Sequence, residues 1–335
     1  MTEPAPSARP DLDAFDQLLD TPPAESHGAG GAGATHGAEA ARKSPERDEH
    51  LVHETASVGT SPTLSQFADG FGLYWDPIAC AVLAGAGLGA LGVFVVLRRA
   101  VFVTATLSQA AGLGVVLAFF LEIQYGLSLP PLSCALAASL ACAFLVGVRP
   151  RRVSRETVVA FVYLATSALV VLLGARIAQE AHDVSAILFG TAVLVRPEDV
   201  TWVLLGTLSA AALLVVVTRP LLFAGFDRDG ARVQGVPVER LELAFWGVFA
   251  LEVSVATRAL GALPVFAFSV LPATAGLLCA RRLPGVMAVA VAAGALSGAL
   301  GYLCAFLLEL PVGASQAALA AVLVALAWIV RRVRA

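Results

Sequence analysis

Nine apolar stretches, each close to the thickness of a lipid hydrocarbon core, run through the chain at approximately 77–97, 104–121, 131–148, 157–174, 200–218, 241–258, 262–279, 285–307 and 314–330. A helix needs about 20 apolar residues to cross a bilayer. Inside hydrocarbon every backbone N–H and C=O must find its partner within the segment, which leaves the helix as the conformation for such runs. The expected fold is therefore all-α, a polytopic transmembrane helical bundle of eight or nine spans. Composition excludes the soluble alternative: charged residues make up 14% of the chain and the mean hydropathy is +0.81, whereas a soluble domain carries about 25% charged residues. Glycine and alanine are abundant in the spans, as helices that pack closely in lipid require.

Charge divides the chain in two. Residues 1–76 hold thirteen Asp/Glu against four Lys/Arg, whereas the remainder holds eighteen Arg against twelve Asp/Glu. Residues 1–73 are rich in Gly, Ala, Pro, Ser and acid, and offer too little apolar area to offset the entropy of ordering, so this tail is predicted to be disordered. It opens acidic, with no apolar core in its first residues, and does not read as a signal peptide. Leu12, Phe15, Leu18 and Leu19 share one helical face, either a nascent helix or a docking segment. The run DEHLVHE places His50 and His53 three residues apart between carboxylates. That pairing suits Zn or Mn, but no third fixed ligand is evident, and a solvated acidic linker explains it as well. Cys80, Cys134, Cys142, Cys279 and Cys304 stand singly in or beside apolar runs and read as small buried hydrophobes.

Arginine placement orients the bundle. With the loop after the first span on the cytoplasmic side, that side collects Arg98, Arg99, Arg149, Arg151, Arg152, Arg155, Arg219, Arg228, Arg232, Arg240, Arg281, Arg282, Arg331, Arg332 and Arg334, and only Arg176, Arg196 and Arg258 fall outside. The tail then lies outside. A re-entrant or interfacial first span would return it to the cytoplasm and leave eight crossings. The polar island FDRDGARVQGVPVER, residues 226–240, is cytoplasmic in this arrangement. It carries charges of both signs, Gly230, Gly235 and Pro237 between two lipid-suited runs, the composition of a loop against which something docks.

Four segments carry a family resemblance: FVVLRRAVFVTATLSQA, ILFGTAVLVRPEDV, FDRDGARVQGVPVERLEL and RALGALPVFAFSVLPATAGLLCARRL. In this order and spacing they resemble the integral-membrane permeases of bacterial ABC importers for zinc, manganese and iron, over roughly residues 75–332. The resemblance implies a permease domain at 74–335 in the bacterial inner membrane, working as a homodimer. It implies a cytoplasmic coupling helix seated in a groove of an ATPase subunit, and an extracytoplasmic binding protein that delivers the metal. The coupling element is then Asp227 to Val236. Arg228 and Arg232 lie four apart on one face, Ala231 is small enough for close approach, and Gly235 can end the helix in the left-handed region. The chain has no G-x-x-x-x-G-K-[ST] loop to cradle ATP, so nucleotide chemistry falls to the partner. The resemblance implies no permanently bound cofactor, and transported Zn, Mn or Fe as cargo. The partners it implies are the second permease copy, the ATPase, the binding protein and the bilayer, and it gives no role to nucleic acid.

One departure stands out. The family segment after the double arginine reads F-x-G-D-x-L-S-H-A, and here it is Phe102-Val103-Thr104-Ala105-Thr106-Leu107-Ser108-Gln109-Ala110. Ala105 and Gln109 stand where an aspartate and a histidine are expected, leaving Thr104, Thr106, Ser108 and Gln109 as neutral pathway donors, poor ligands for Zn beside imidazole and carboxylate. Three explanations stay open: the ligands have moved, the cargo has changed, or the subunit is one half of a heterodimer. Glu252, at membrane depth, is either a replacement ligand or a structural group hydrogen-bonded to a neighbouring helix. Glu180, His182 and Asp183 form either a site that receives metal from a binding protein or a polar surface turn. Rival functions are a permease for a metal chelate, a secondary transporter, for which no half-to-half repeat is apparent, and a membrane enzyme, for which clustered ionisable groups are lacking.

Overall fold

The computed structural model describes residues 64–147, 154–177 and 195–334. Within them every regular element is a helix: α1 Leu64–Asp69, α2 Phe71–Leu97, α3 Val101–Tyr125, α4 Pro131–Gly147, α5 Arg155–Ile177, α6 Pro197–Phe226, α7 Arg228–Val233, α8 Val238–Leu260, α9 Ala262–Cys279, α10 Leu283–Leu308 and α11 Val312–Arg334. Eight of these, all but α1, α4 and α7, are long and apolar enough to cross a membrane. The 17 residues of α4 reach about 25 Å at 1.5 Å per residue, the short end of what spans a bilayer. The nine predicted stretches fall on nine helices, the eight long ones and α4; most of these helices run beyond their stretch, whereas α9 coincides with its own. Helix α6 starts at Pro197, whose missing N–H costs nothing in a first turn, and continues through Pro220 to Phe226, eight residues past the apolar run. Hydropathy marks the part in lipid; the helix goes on into the interface.

Helix α2 is the axis of the bundle and packs against α6, α8, α9 and α10. It can do so because small residues face the crossings. The backbone of Gly85 lies directly on that of Gly294 in α10, and a Cβ on Gly89 would sit 2.7 Å from the Ala290 carbonyl oxygen. Lipid gives helices no hydrophobic reason to associate, so such van der Waals approach of backbones is the main source of cohesion. The large residues interleave just beyond: Leu88, Leu91, Phe94, Phe245, Phe249 and Phe268 are all buried. Outward residues such as Leu73, Leu172, Val215 and Val216 are apolar and exposed, as a lipid-facing perimeter requires.

Two polar contacts fix which helix ends share a side. At the end of α2, Arg98 Nη2 donates to the carbonyl of Leu221 near the end of α6, 3.0 Å away. The α2–α3 turn and the α6–α8 connection, both arginine-bearing, therefore lie at one end, as the arginine pattern requires. At the other end Arg258 of α8 pairs with Asp199 of α6 at 3.2 Å. Asp199 also accepts from the Arg196 backbone N–H at 3.0 Å, capping α6. One of the three arginines assigned outside is thus neutralised where it stands. Where α1, the start of α2 and the end of α10 meet, Phe67 stacks on Tyr74, and Phe306 meets Phe67 edge-on and Tyr74 at a tilt, a cluster suited to the aromatic belt of a membrane interface.

Replacing Gly294 with Leu drives a side chain into the Gly85 backbone and should cost about 1–3 kcal/mol, seen as a lowered thermal midpoint in detergent. Gly247→Ala, where an added Cβ meets nothing within 4 Å, should leave the midpoint unchanged. Equal midpoints for both would contradict the close-approach account.

Candidate functional site

The polar island folds into the six-residue helix α7, held on both sides. Asp227 caps it, its side chain accepting from the Gly230 N–H at 2.8 Å. The far end closes on Gly235, at φ 79° in the left-handed region, with Gly235 N–H on Arg232 O and Val236 N–H on Ala231 O, both 3.0 Å. That pair of bonds is a Schellman closure. Val236 folds back over Ala231, which is fully buried against the chain's own helices. The two arginines face α8: Arg228 makes a two-pronged bond to Glu242, at 3.0 and 2.9 Å, and Arg232 Nε donates to Glu239 at 3.0 Å. The hydrogen bond and charge of Glu239, helped by Asp229, raise the Arg232 guanidinium above its ordinary value. What α7 turns outward is the tip: Asp229, Val233 and half of Arg232 are exposed.

Between α3, α5 and α9 lies a cavity of about 340 Å³ lined by Ala105, Ser108, Gln109, Tyr163, Ser167, Val170, Val171, Ala262, Leu263 and Phe266. Three of the α3 positions singled out above meet here, and α5 adds two polar groups that the sequence reading passed over. Tyr163 and Ser167 are four apart, hence on one face of α5, and that spacing is the signal that was available. Thr104 and Thr106 are buried and spend their hydroxyls on α3 itself, on the carbonyls of Val101 (2.7 Å) and Phe102 (2.8 Å). Ser108 likewise donates to Thr104 O at 3.0 Å. Gln109 Oε1 and Ser167 Oγ, by contrast, are buried atoms with no hydrogen-bond partner in the chain. Buried polar atoms are normally paired. These two belong to residues of facing cavity helices, Gln109 on α3 and Ser167 on α5, so the polar part of the lining is not consumed by bonds within the chain.

Glu252 is elsewhere. It sits fully buried in α8 where α2 and α6 meet it, with Oε1 accepting from the Thr207 hydroxyl at 3.0 Å and Oε2 unpaired. Gly87 and Gly206 leave the room its carboxyl fills, since a Cβ on Gly87 would lie 2.5 Å from Oε1. It does not line the cavity. Glu180, His182 and Asp183, and the tail pair His50 and His53, lie outside the described residues. Among the described residues no three His, Cys, Asp or Glu side chains come together as a metal site would need.

A bundle of spanning helices with a capped short helix at its arginine-rich end and a cavity with polar groups between its spans has the architecture of the membrane-embedded subunit of a transporter. The chain belongs to the ABC 3 transport family, which it matches over residues 74–331. It is 26% identical over 254 residues to the manganese transport system membrane protein MntC of Halalkalibacterium halodurans, covering 75% of this chain and 85% of that protein. To the manganese import system permease protein ScaB of Streptococcus parasanguinis it is 27% identical over 256 residues, covering 75% of this chain and 89% of that one. Its fold superposes on PsaBC from Streptococcus pneumoniae, solved in complex with Fab, with a TM-score of 0.70 over 79% of this chain and 95% of that one, at 22% identity. It is accordingly an ABC-type permease and a multi-pass membrane protein, which in a bacterium means the inner membrane.

Glu252→Gln keeps an acceptor for Thr207 and should leave thermal midpoint and transport near wild type. Glu252→Ala leaves a void against Gly87 and Gly206 and confines the Thr207 hydroxyl to its other acceptor, Leu83 O at 3.2 Å, and should cost about 1–3 kcal/mol. A strong loss of transport from Glu252→Gln at unchanged midpoint would make Glu252 a cargo ligand instead.

Proposed function

We propose that this chain is the permease of an ATP-driven importer of a divalent transition metal, manganese, zinc or iron. A second copy of the chain completes the pathway, a separate ATPase seats on Asp227 to Val236, and an extracytoplasmic binding protein supplies the cargo. The observation that carries this reading is the match, over most of both chains, to membrane proteins named for manganese transport. The geometry of α7 supports the coupling role: a short helix with both ends closed and both arginines anchored to α8 moves as one piece with α6 and α8. A push at its tip therefore displaces spans instead of bending a loop, and biases the bundle between two states to the extent that the partner favours one of them.

A second reading shares the machinery and changes the cargo. The cavity wall offers hydroxyls, an amide and apolar surface, with no carboxylate or imidazole among its lining residues. Neutral oxygens suit a metal already wrapped in a chelator better than a bare Zn ion.

The test is uptake in cells stripped of their own zinc and manganese importers, expressing this chain with its ATPase and binding protein and offered Mn, Zn and Fe separately. ATP-dependent accumulation of one of them is the expected result, and Ser167→Phe, which fills the cavity, should abolish it without loss of the assembled complex. Accumulation of no free metal by an assembled complex would turn the reading to chelates.

A further inference from the structure

Helix α7 packs chiefly against α6 and α8, whereas the cavity is walled by α3, α5 and α9, so movement at α7 must be relayed to reach it. One side chain spans the gap. Arg98 stands at the C-cap of α2, three residues before α3 begins, where a cation also faces the free carbonyls of a helix end. Its Nη2 donates to Leu221 O at 3.0 Å. Its guanidinium carbon lies 5.3 Å from the centre of the Phe245 ring in α8, within cation–π range. Its stem lies against Gly225, where a Cβ would come 3.5 Å from Nε. Arg98 thus holds the last turns of α6 and the second turn of α8, the two helices that α7 joins.

Both attachments are fixed to α7. Asp227 is at once the last cap of α6 and the first cap of α7. Glu242, which receives the two prongs of Arg228, is three residues before Phe245 and so on the same face of α8. The other side of the linkage is equally stiff. Arg99 N–H bonds Val96 O and Ala100 N–H bonds Val95 O, each at 3.0 Å. Arg99 is held at φ 55°, a left-handed conformation that non-glycine residues adopt only where the surroundings enforce it. A turn so closed does not absorb displacement. It passes displacement to α3, whose Ala105, Ser108 and Gln109 form one cavity wall within its first three turns.

We infer that Arg98 is a positioning residue that carries displacement of α7 through Leu221 and Phe245 to the α2–α3 turn, and so to the α3 wall of the cavity. The inference rests on the permease reading. Interposition alone does not establish coupling; non-additivity between its members does.

The experiment uses the complete transporter, this chain with its ATPase and binding protein, reconstituted in liposomes, with radioactive manganese or zinc as the probe, whichever the wild type carries. Metal moved per ATP hydrolysed is measured for Arg98→Leu, Phe245→Leu and the double variant. The expected result is complexes that assemble and hydrolyse ATP, a ratio reduced about tenfold in Arg98→Leu and less in Phe245→Leu, and a double variant no worse than Arg98→Leu, as members of one linkage behave. Arg98→Lys, which keeps the charge at the helix end but loses the planar fork, should give an intermediate ratio and serves if Arg98→Leu does not assemble. Uptake and hydrolysis falling in proportion would make Arg98 a fold-stabilising residue only and overturn the inference, as would wild-type ratios or defects that multiply. A wild-type chain that recruits no ATPase overturns the functional reading itself. A wild type that couples, beside variants that couple as well, overturns the linkage alone.

Discussion

The closest constraint on this bundle is the approach of one backbone to another along α2. Gly85 on Gly294 and Gly89 on Ala290 leave no space for a side chain between α2 and α10, and Gly92 on the Ser269 backbone leaves none between α2 and α9, so α2, α9 and α10 form one unit whose spacing is set by main-chain atoms. Everything with chemistry attached is hung from that unit. Its arginine-bearing end presents Arg98 to α6 and α8, its middle leaves the glycine gap at Gly87 that accommodates Glu252, and the tight turn at Arg99 leads into α3 and its cavity residues. A small-residue seam in lipid needs shape alone, because there is little water to exclude. That is why a chain with so few polar contacts between its spans holds a defined arrangement.

Polar contacts between spans are few; Thr207–Glu252 and Ser139–Ser254 lie within the bundle, whereas the ion pairs sit at the ends, where they set geometry more than stability. The Arg228–Glu242 and Arg232–Glu239 pairs are partly exposed, and such pairs individually contribute little. Their effect is to remove the freedom of a six-residue helix that would not persist alone. With Arg228 turned back onto α8, the tip of α7 exposes Asp229, Val233, Gln234 and about half of Arg232, a small mixed polar and apolar knob. Arg258 and Asp199 do the same service at the opposite end by locking the start of α6 to the end of α8.

The spans were legible because lipid imposes one requirement on every residue of a run, and nine runs satisfied it. Arginine placement sorts the helix ends into two groups, and the contacts of Arg98 with Leu221 and of Arg258 with Asp199 follow that sorting. Gly235 was readable as a helix stop for a local reason, the absence of a Cβ. Less legible was anything that depends on which way a helix is rotated. Ala231 reads as a small residue suited to close approach, and the approach it makes is to its own chain, under Val236. Glu252 and the Ala105–Gln109 segment both lie at membrane depth, yet the bundle turns Glu252 toward Thr207 and the α3 residues toward α5. Tyr163 and Ser167 went unremarked because neutral hydroxyl groups in a span give no hydropathy signal; only their four-residue spacing hints at a shared face.

The claim on which the account rests is that the tip of α7 is where an ATPase seats. Val233, 90% exposed, is the position to test. With Val233→Cys in the chain co-expressed with its ATPase, and single cysteines introduced along the facing groove of that partner, oxidation should yield a permease–ATPase cross-link whose extent changes with ATP. The same cysteine at Leu73, 78% exposed at the opposite end of the bundle, should yield none. Efficient cross-linking at Leu73, or none at Val233 while the two proteins co-purify, would mean that the partner docks elsewhere and that α7 is a surface turn.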